Sequence, residues 1–307
     1  MTHRIIFDCD PGIDDAMAIL FAQASKDIEL LGITTTFGNA YIEQTTRNAQ
    51  YMKQRFDLTC PVLKGAGEPL VVPLDEPPTF VHGHDGLGDA GFEIPDMSPT
   101  PDAVDFIIEQ VRSQPGEIDL VAVGRMTNLA LALERAPDIA SQVRSVVIMG
   151  GAFGGYGFGG NVTETAEANI YGDPHAADRV VQADWPLTVV GLDVTMRTIF
   201  TPQMREHLKQ QAGDMGLFID AMSDCYQDHY LRRTGNAGFP VHDASALACL
   251  VQPQLFDTQS GTLRVSTQEN NLGQTLLDGS ASGNKAACAE VDAEAVLSLY
   301  VDTLTGA

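Results

Sequence analysis

Short apolar runs alternate with longer, helix-like segments over the first two thirds of the chain. The runs predict strands over residues 4–7, 30–36, 118–123, 145–149 and 187–190. The segments between them predict helices over residues 14–24, 42–56, 102–113, 128–136 and 173–182. Strands and helices that alternate in this way are joined by right-handed crossovers and form a largely parallel sheet. We therefore predict an α/β fold with an open, twisted, mostly parallel (mixed) sheet flanked by helices.

The predicted strands are continuously apolar, which is typical of a sheet covered on both faces. Ligands of such sheets bind beyond the carboxyl ends of the strands, so the residues that follow each strand are the candidates for chemistry. After Phe200 the pattern becomes helical, with helices predicted over residues 217–230 and 243–250. We find no linker and no internal repeat, and residues 1–307 are predicted to form a single domain.

Two segments interrupt the alternation. Residues 65–101 are rich in proline and glycine and too long for an ordinary connection, so we predict that they form a lid over the active site. Residues 150–160 contain seven glycines in eleven residues. This second segment is predicted to be a hinge or a wall of the site.

Composition limits the partners and the location. The chain has 18 Lys and Arg against 41 Asp and Glu, a formal net charge of −23, which argues against nucleic acid and anionic membranes as partners. Five scattered cysteines without a C-x-x-C pair predict reduced thiols. The sequence contains neither the apolar core of a signal peptide nor a membrane-spanning run. We expect a cytoplasmic protein.

Four carboxylates lie within eight residues where the first strand meets the first helix, in the segment Asp8-Cys9-Asp10-Pro11-Gly12-Ile13-Asp14-Asp15. Capping of the helix N-terminus explains one or two of them. The four repel one another unless a positive charge lies among them, and a hard divalent cation with oxygen ligands supplies that charge. An Asp-x-Asp at this place also opens the Mg²⁺-dependent haloacid-dehalogenase phosphatases.

Three later segments decide between these chemistries. They are residues 121–128 (VAVGRMTN), residues 161–169 (NVTETAEAN) and residues 241–244 (VHDA). Together with the D-x-D-P-G-x-D-D cluster, the turn at Asn39 and the Met149-Gly150-Gly151 segment, they resemble the inosine-uridine-preferring nucleoside hydrolases. The resemblance runs in order from residue 5 to at least residue 250, and the D-x-D-P-G-x-D-D signature is highly specific.

The resemblance implies hydrolysis of the N-glycosidic bond of ribonucleosides to ribose and a free base, with one Ca²⁺. It implies a Rossmann-like nucleoside hydrolase fold with extra C-terminal helices, and a homodimer or homotetramer. The implied metal ligands are Asp10, Asp15, Asp243 and the carbonyl of Val123. Asp10 would also deprotonate the attacking water, and His242 would protonate the departing base. The implied substrate contacts are Asp14, Asn39, Met149, Asn161, Glu167 and Asn169.

Several alternatives stay open at this point. His82 in the predicted lid is a candidate contact of the base, with a surface histidine as the equal alternative. Tyr226, His229, Tyr230 and Arg233 either face the base or pack within a helix. For the whole chain the alternatives are a Mg²⁺-dependent phosphohydrolase of the dehalogenase type, and a non-catalytic Ca²⁺-dependent protein that binds nucleoside or ribose. Scarce lysine counts against the first, and the retained His242 counts against the second.

The chain also departs from the family pattern. Arg125 stands in Gly124-Arg125-Met126-Thr127-Asn128 where the family usually has proline, Ala168 stands where phenylalanine is common, and the glycine-rich loop is longer than usual. None of these changes removes an implied ligand. They reshape the wall of the site, and the preferred base is therefore not predicted.

Overall fold

Parallel strands with both faces buried form the centre of this computed structural model, which describes residues 2–96, 98–280 and 283–307. The strands are β1 (His3–Cys9), β2 (Ile28–Thr35), β3 (Val62–Lys64), β4 (Ile118–Ala122), β5 (Ser145–Met149), β6 (Leu187–Val190), β7 (Ile199–Phe200), β8 (Phe239–Pro240), β9 (Phe256–Ser260), β10 (Thr262–Val265), β11 (Thr275–Asp278) and β12 (Lys285–Val291). The five strands predicted from the sequence correspond to β1, β2, β4, β5 and β6.

The main sheet has the strand order β3-β2-β1-β4-β5-β6-β12-β9. Neighbouring strands in it pair in parallel, except that β9 is antiparallel to β12. Two small antiparallel pairs, β10 with β11 and β7 with β8, lie outside it. The predicted fold class, an open and mostly parallel mixed sheet of the Rossmann-like kind, is confirmed.

Helices cover both faces of the sheet. They are α1 (Ile13–Ala24), α2 (Ile42–Arg55), α3 (Thr79–His82), α4 (Ala103–Ser113), α5 (Thr127–Arg135), α6 (Ala168–Gly172), α7 (Pro174–Gln182), α8 (Leu192–Thr195), α9 (Pro202–Gln211), α10 (Gly213–Thr234), α11 (His242–Val251) and α12 (Ala293–Thr305). The predicted helices are all present, with ends shifted by a few residues. Within the described part of the chain, no helix has both the length and the apolar character needed to cross a bilayer.

The C-terminal region differs from the prediction of helices alone. Helices α9 to α12 are present, but β9 to β12 also follow residue 252, and β12 and β9 extend the main sheet. The sequence does not reveal β9 as a strand, because Phe256 is the only buried residue among its five. A strand that buries one side chain has neither an apolar run nor a clear alternation that could reveal it.

The core consists of two apolar clusters, one on each face of the sheet. Ile5 and Phe7 of β1 belong to the cluster under α1, α11 and α12, and Ile6 belongs to the cluster under α4, α5 and α7. Strands β2 and β4 lie on opposite sides of β1. The chain therefore reverses its direction across the sheet at β1, and such a switch point leaves a crevice at the carboxyl ends of the strands.

Candidate active site

A cavity of about 300 Å³ lies at the carboxyl ends of the central strands. It is lined by almost every site residue that the sequence analysis names: Asp14, Asn39, His82, Val123, Met149, Asn161, Glu167, Asn169, His242 and Asp243. Asp10 and Asp15 are completely buried beneath it. Segments far apart in the sequence, from Asp14 to Asp243, thus line one cavity.

 

The turn between β1 and α1 is fixed by Asp15. Its Oδ1 accepts a hydrogen bond from the backbone N–H of Asp10 at 3.0 Å, and its Oδ2 accepts from Gly12 N–H at 3.0 Å and from Asn39 Nδ2 at 2.8 Å. A side chain at Gly12 has no room, because its Cβ would lie 2.6 Å from His82 Nδ1. The Pro-Gly in the signature therefore allows the turn to close against Asn39 and His82.

Asp8 and Asp10 differ in what their carboxylates contact. Asp8 accepts hydrogen bonds from the Thr34 hydroxyl at 2.5 Å and from Asn128 Nδ2 at 2.7 Å, and burial raises its pKa to about 7. Asp10 Oδ2 accepts from the backbone N–H of Asn39 at 2.8 Å. Asp10 Oδ1 is buried and has no hydrogen-bond partner in the described part of the chain. Asp8 Oδ2 is likewise buried without a partner there, so the two residues differ in that side chains hold Asp8 and a backbone N–H holds Asp10.

Three carboxylates are placed to share a cation. Asp14, Asp15 and Asp243 are buried, and each offers an oxygen that lies within 4.8 Å of the other two. Burial raises the pKa of Asp14 and of Asp15 to about 6, and burial with the neighbouring carboxylates raises that of Asp243. These residues could hold a metal, since a bound cation would offset the repulsion among them.

This set overlaps the ligands implied by the resemblance without matching them. Asp15 and Asp243 are common to both, Asp14 joins them, and Asp10 is not part of the close set. The Val123 carbonyl accepts a hydrogen bond from Asn169 Nδ2 at 2.6 Å. A carbonyl oxygen has a second lone pair, so this contact leaves it able to bind a cation.

Polar groups on the opposite wall are held rigidly. Glu167 caps the short helix α6, and its carboxylate accepts from the backbone N–H groups of Gly151, Asn169 and Ile170 at 2.9 to 3.1 Å. Asn161 Oδ1 accepts from the backbone N–H of Ala168 at 2.8 Å. Burial raises the pKa of Glu167. The glycine-rich segment 150–160 supplies one of these N–H groups but does not itself line the cavity.

The remaining wall is aromatic. His242 contacts the Tyr230 hydroxyl through Nε2 and the Thr195 hydroxyl through Nδ1, both at 2.7 Å, and burial lowers its pKa to about 3. The Tyr226 hydroxyl donates to Asp14 Oδ2 at 3.0 Å. His82 is buried and accepts from the backbone N–H of Ile13 at 3.2 Å, and burial lowers its pKa to about 4. The surface alternative for His82 is therefore excluded.

Comparisons with known proteins agree on one family. The family profile described as inosine-uridine preferring nucleoside hydrolase matches residues 5–298. Uridine nucleosidase 1 of Arabidopsis thaliana is 39% identical over 278 residues, which cover 90% of this chain and 82% of that protein. A purine-preferring ribonucleoside hydrolase from Gardnerella vaginalis has a similar structure, with a TM-score of 0.92 and 33% identity over 99% of this chain and 98% of that one. The plant nucleoside hydrolase PpNRh1 gives a TM-score of 0.94 at 34% identity, with both chains fully covered.

The chain belongs to the inosine-uridine preferring nucleoside hydrolase family. The resemblance seen in the sequence is confirmed, and with it the assignment as an enzyme that hydrolyses ribonucleosides.

Two features of this nucleoside hydrolase were not predicted. Thr195 was not identified as a partner of His242, because nothing in its short helix α8 distinguishes it in the sequence. The pairing of Tyr230 with His242 was also missed. A signal for the aromatic wall did exist, since Tyr226 and Tyr230 are four residues apart and so share one face of α10.

The metal-free protein is predicted to lose stability as the pH rises. Burial raises the pKa values of Asp14 and Asp15 to about 6, whereas unfolded carboxyls titrate near pH 4. Between about pH 4 and 6 the folded chain binds more protons than the unfolded chain, so the free energy of unfolding falls through that range. A two-unit shift corresponds to about 3 kcal/mol. Scanning calorimetry after chelation should give a melting temperature several degrees lower at pH 8 than at pH 5.

Asp14→Asn is the matched variant, because the amide oxygen can still accept from Tyr226. It should make the melting temperature depend less on pH. Equal melting temperatures at the two pH values in the chelated wild type would contradict the burial of charged carboxylates.

Proposed function

We propose that the protein hydrolyses the N-glycosidic bond of ribonucleosides with one bound Ca²⁺. The observation that supports this most is the cluster of buried carboxylates beside a cavity of about 300 Å³ whose opposite wall carries fixed polar groups. A neutral sugar with several hydroxyl groups suits these surroundings, whereas a phosphate would be repelled by the carboxylates. The phosphohydrolase alternative is therefore disfavoured on physical grounds as well as by the family.

The donor atoms suit a hard cation. The close set contains only carboxylates and neither His nor Cys, which favours Ca²⁺ or Mg²⁺ over a transition metal. We propose Ca²⁺, because it tolerates irregular sets of carboxylates, carbonyls and waters, whereas Mg²⁺ demands near-octahedral geometry. Asp10 and the Val123 carbonyl would complete the ligands. When bound, such an ion orients sugar hydroxyls and a water molecule and lowers the pKa of that water.

Asp10 is proposed as the general base. The backbone N–H of Asn39 holds Oδ2, and Oδ1 is left buried without a partner among the described residues. Burial and the nearby Asp15 raise the pKa of Asp10, which makes it a stronger proton acceptor than an ordinary carboxylate. We expect Oδ1 to take a proton from the water that attacks the anomeric carbon of the ribose.

The fixed polar groups are proposed to hold the ribose. Asp14, Asn39, Asn161, Glu167 and Asn169 would bind its hydroxyls, with Met149 against the sugar. Positive charge develops on the sugar as the C–N bond breaks. Carboxylates that are already fixed in place stabilise that charge without reorganising.

His242 is proposed to assist the departing base through Tyr230. With a pKa lowered to about 3, His242 is neutral at pH 7 and holds no imidazolium proton to give. A neutral imidazole can donate from Nε2 to the Tyr230 oxygen, 2.7 Å away. The Tyr230 O–H is then free to donate a hydrogen bond to the base as negative charge develops on it. His82 stays a proposed contact of the base.

A panel of nucleosides tests the activity directly. Uridine, cytidine, inosine and adenosine are incubated with the protein, and reducing sugar is measured. We expect ribose release from at least one of them, loss of release after chelation, and recovery with Ca²⁺. Tight nucleoside binding without ribose release would favour the non-catalytic alternative, and no binding of any nucleoside would contradict the proposal.

Asp10→Asn should abolish most of the turnover. Loss of a general base typically lowers the rate by about 10² to 10⁴. The measurement is kcat on the best substrate of the panel, with the exposed Asp27→Asn as the control for loss of one carboxylate. Near-native kcat in Asp10→Asn would refute the role as base.

His242→Ala and Tyr230→Phe should both slow substrates with poor leaving groups. One lost hydrogen bond to the departing base should cost roughly 100- to 1,000-fold in kcat on uridine, and far less on p-nitrophenyl riboside, whose leaving group needs no such help. Tyr156→Phe, at an exposed tyrosine, is the control. Equal losses on both substrates would argue against assistance to the leaving group.

The lid role of residues 65–101, the homodimer or homotetramer and the cytoplasmic location stay predictions. Sedimentation velocity measures the mass in solution and tests the predicted homodimer or homotetramer.

A further inference from the structure

Arg125 is, with Arg233, one of the arginines that line the cavity, and the family resemblance gives it no role. It follows β4 by three residues, is partly buried, and lines the cavity. No carboxylate lies within 4.0 Å of its guanidinium among the described residues, so it forms no ion pair. Its Nε is buried without a hydrogen-bond partner in the same part of the chain. An unpaired, partly buried cation is costly, and a compensating function is expected.

The backbone around Arg125 leaves space for this side chain. A Cβ at Gly172, the last residue of α6, would lie 1.9 Å from Arg125 Nε and 2.5 Å from Cζ. A Cβ at Gly38 would lie 3.4 Å from Cζ and 1.9 Å from Asp10 Oδ2. Glycines on two sides thus allow the guanidinium to lie between α6 and the Asp10 turn.

The contact that Arg125 does make fixes an amide. Its Nη1 donates to Asn169 Oδ1 at 3.0 Å, and Asn169 Nδ2 donates to the carbonyls of Val123 at 2.6 Å and Met149 at 3.3 Å. A carboxamide can flip its oxygen and nitrogen, but only an acceptor can face a guanidinium. Arg125 and the two carbonyls therefore select the same orientation of the Asn169 amide, with Arg125 holding its oxygen end.

We propose that Arg125 is a positioning residue that holds Asn169 in the orientation in which it binds the ribose. This inference rests on the proposed function, because Asn169 is taken as a sugar contact. It concerns a position where the family usually has proline, and it predicts that Arg125 acts through Asn169 and not on the reacting atoms.

A double-mutant cycle tests this coupling. The variants are Arg125→Met, Asn169→Ala and the double variant, with Arg112→Met at the surface as the control. Arg125→Met should raise KM and the dissociation constant of ribose by roughly 10- to 100-fold, the effect of losing a charge-assisted hydrogen bond, with kcat within about threefold. In the Asn169→Ala background the same change should add less than about twofold. Additive effects, or a fall in kcat with KM unchanged, would overturn the proposal.

Gly172→Ala provides a second route, because it displaces the Arg125 side chain without changing it, and alanine favours a helix. Like Arg125→Met, it should raise the dissociation constant of ribose.

Calcium affinity separates positioning of Asn169 from a general structural role. Measured by calorimetry on the chelated protein, it should not weaken in Arg125→Met. Parallel losses of Ca²⁺ affinity, ribose affinity and melting temperature would mark a merely structural role and overturn the proposal. Absence of ribose release by the wild type would instead refute the proposed function.

Discussion

Repulsion among carboxylates buried at one edge of the sheet is the constraint on which the site depends. Asp10, Asp14, Asp15 and Asp243 are nearly or fully buried, and burial raises the pKa of each. Backbone N–H groups and Asn39 offset part of the repulsion at Asp10 and Asp15. A bound cation would offset the rest of the repulsion among these carboxylates. Such a cation would account for several acids in a place where a protein core is normally apolar.

Much of the fold could be predicted because its centre is a covered parallel sheet. Strands such as β4 and β5 are continuous apolar runs, and the helices between them are periodic. Strand β9 could not be predicted from an apolar pattern, since it buries only Phe256. For the site, the D-x-D-P-G-x-D-D signature located the acids, but their mutual distances depend on tertiary packing. The close set of carboxylates therefore contains Asp14 with Asp15 and Asp243, and not Asp10 as the resemblance implies.

The two sides of the cavity have different origins. The acids and amides come from strand ends and from the first turns of helices. The aromatic side comes from α10 and from segment 65–101, through Tyr226, Tyr230 and His82. Relatives of similar structure or sequence are named for uridine and for purine nucleosides. Proteins with a similar backbone are thus named for different bases.

Calorimetric titration of the chelated protein with Ca²⁺ near pH 6, in buffers of different ionisation enthalpy, tests the central claim most directly. Carboxyls with raised pKa values are partly protonated there, so a cation must displace protons from them. We predict one Ca²⁺ per chain, with net proton release and with binding lost in Asp243→Asn. Absence of saturable binding, or binding without proton release that persists in Asp243→Asn, would contradict the account.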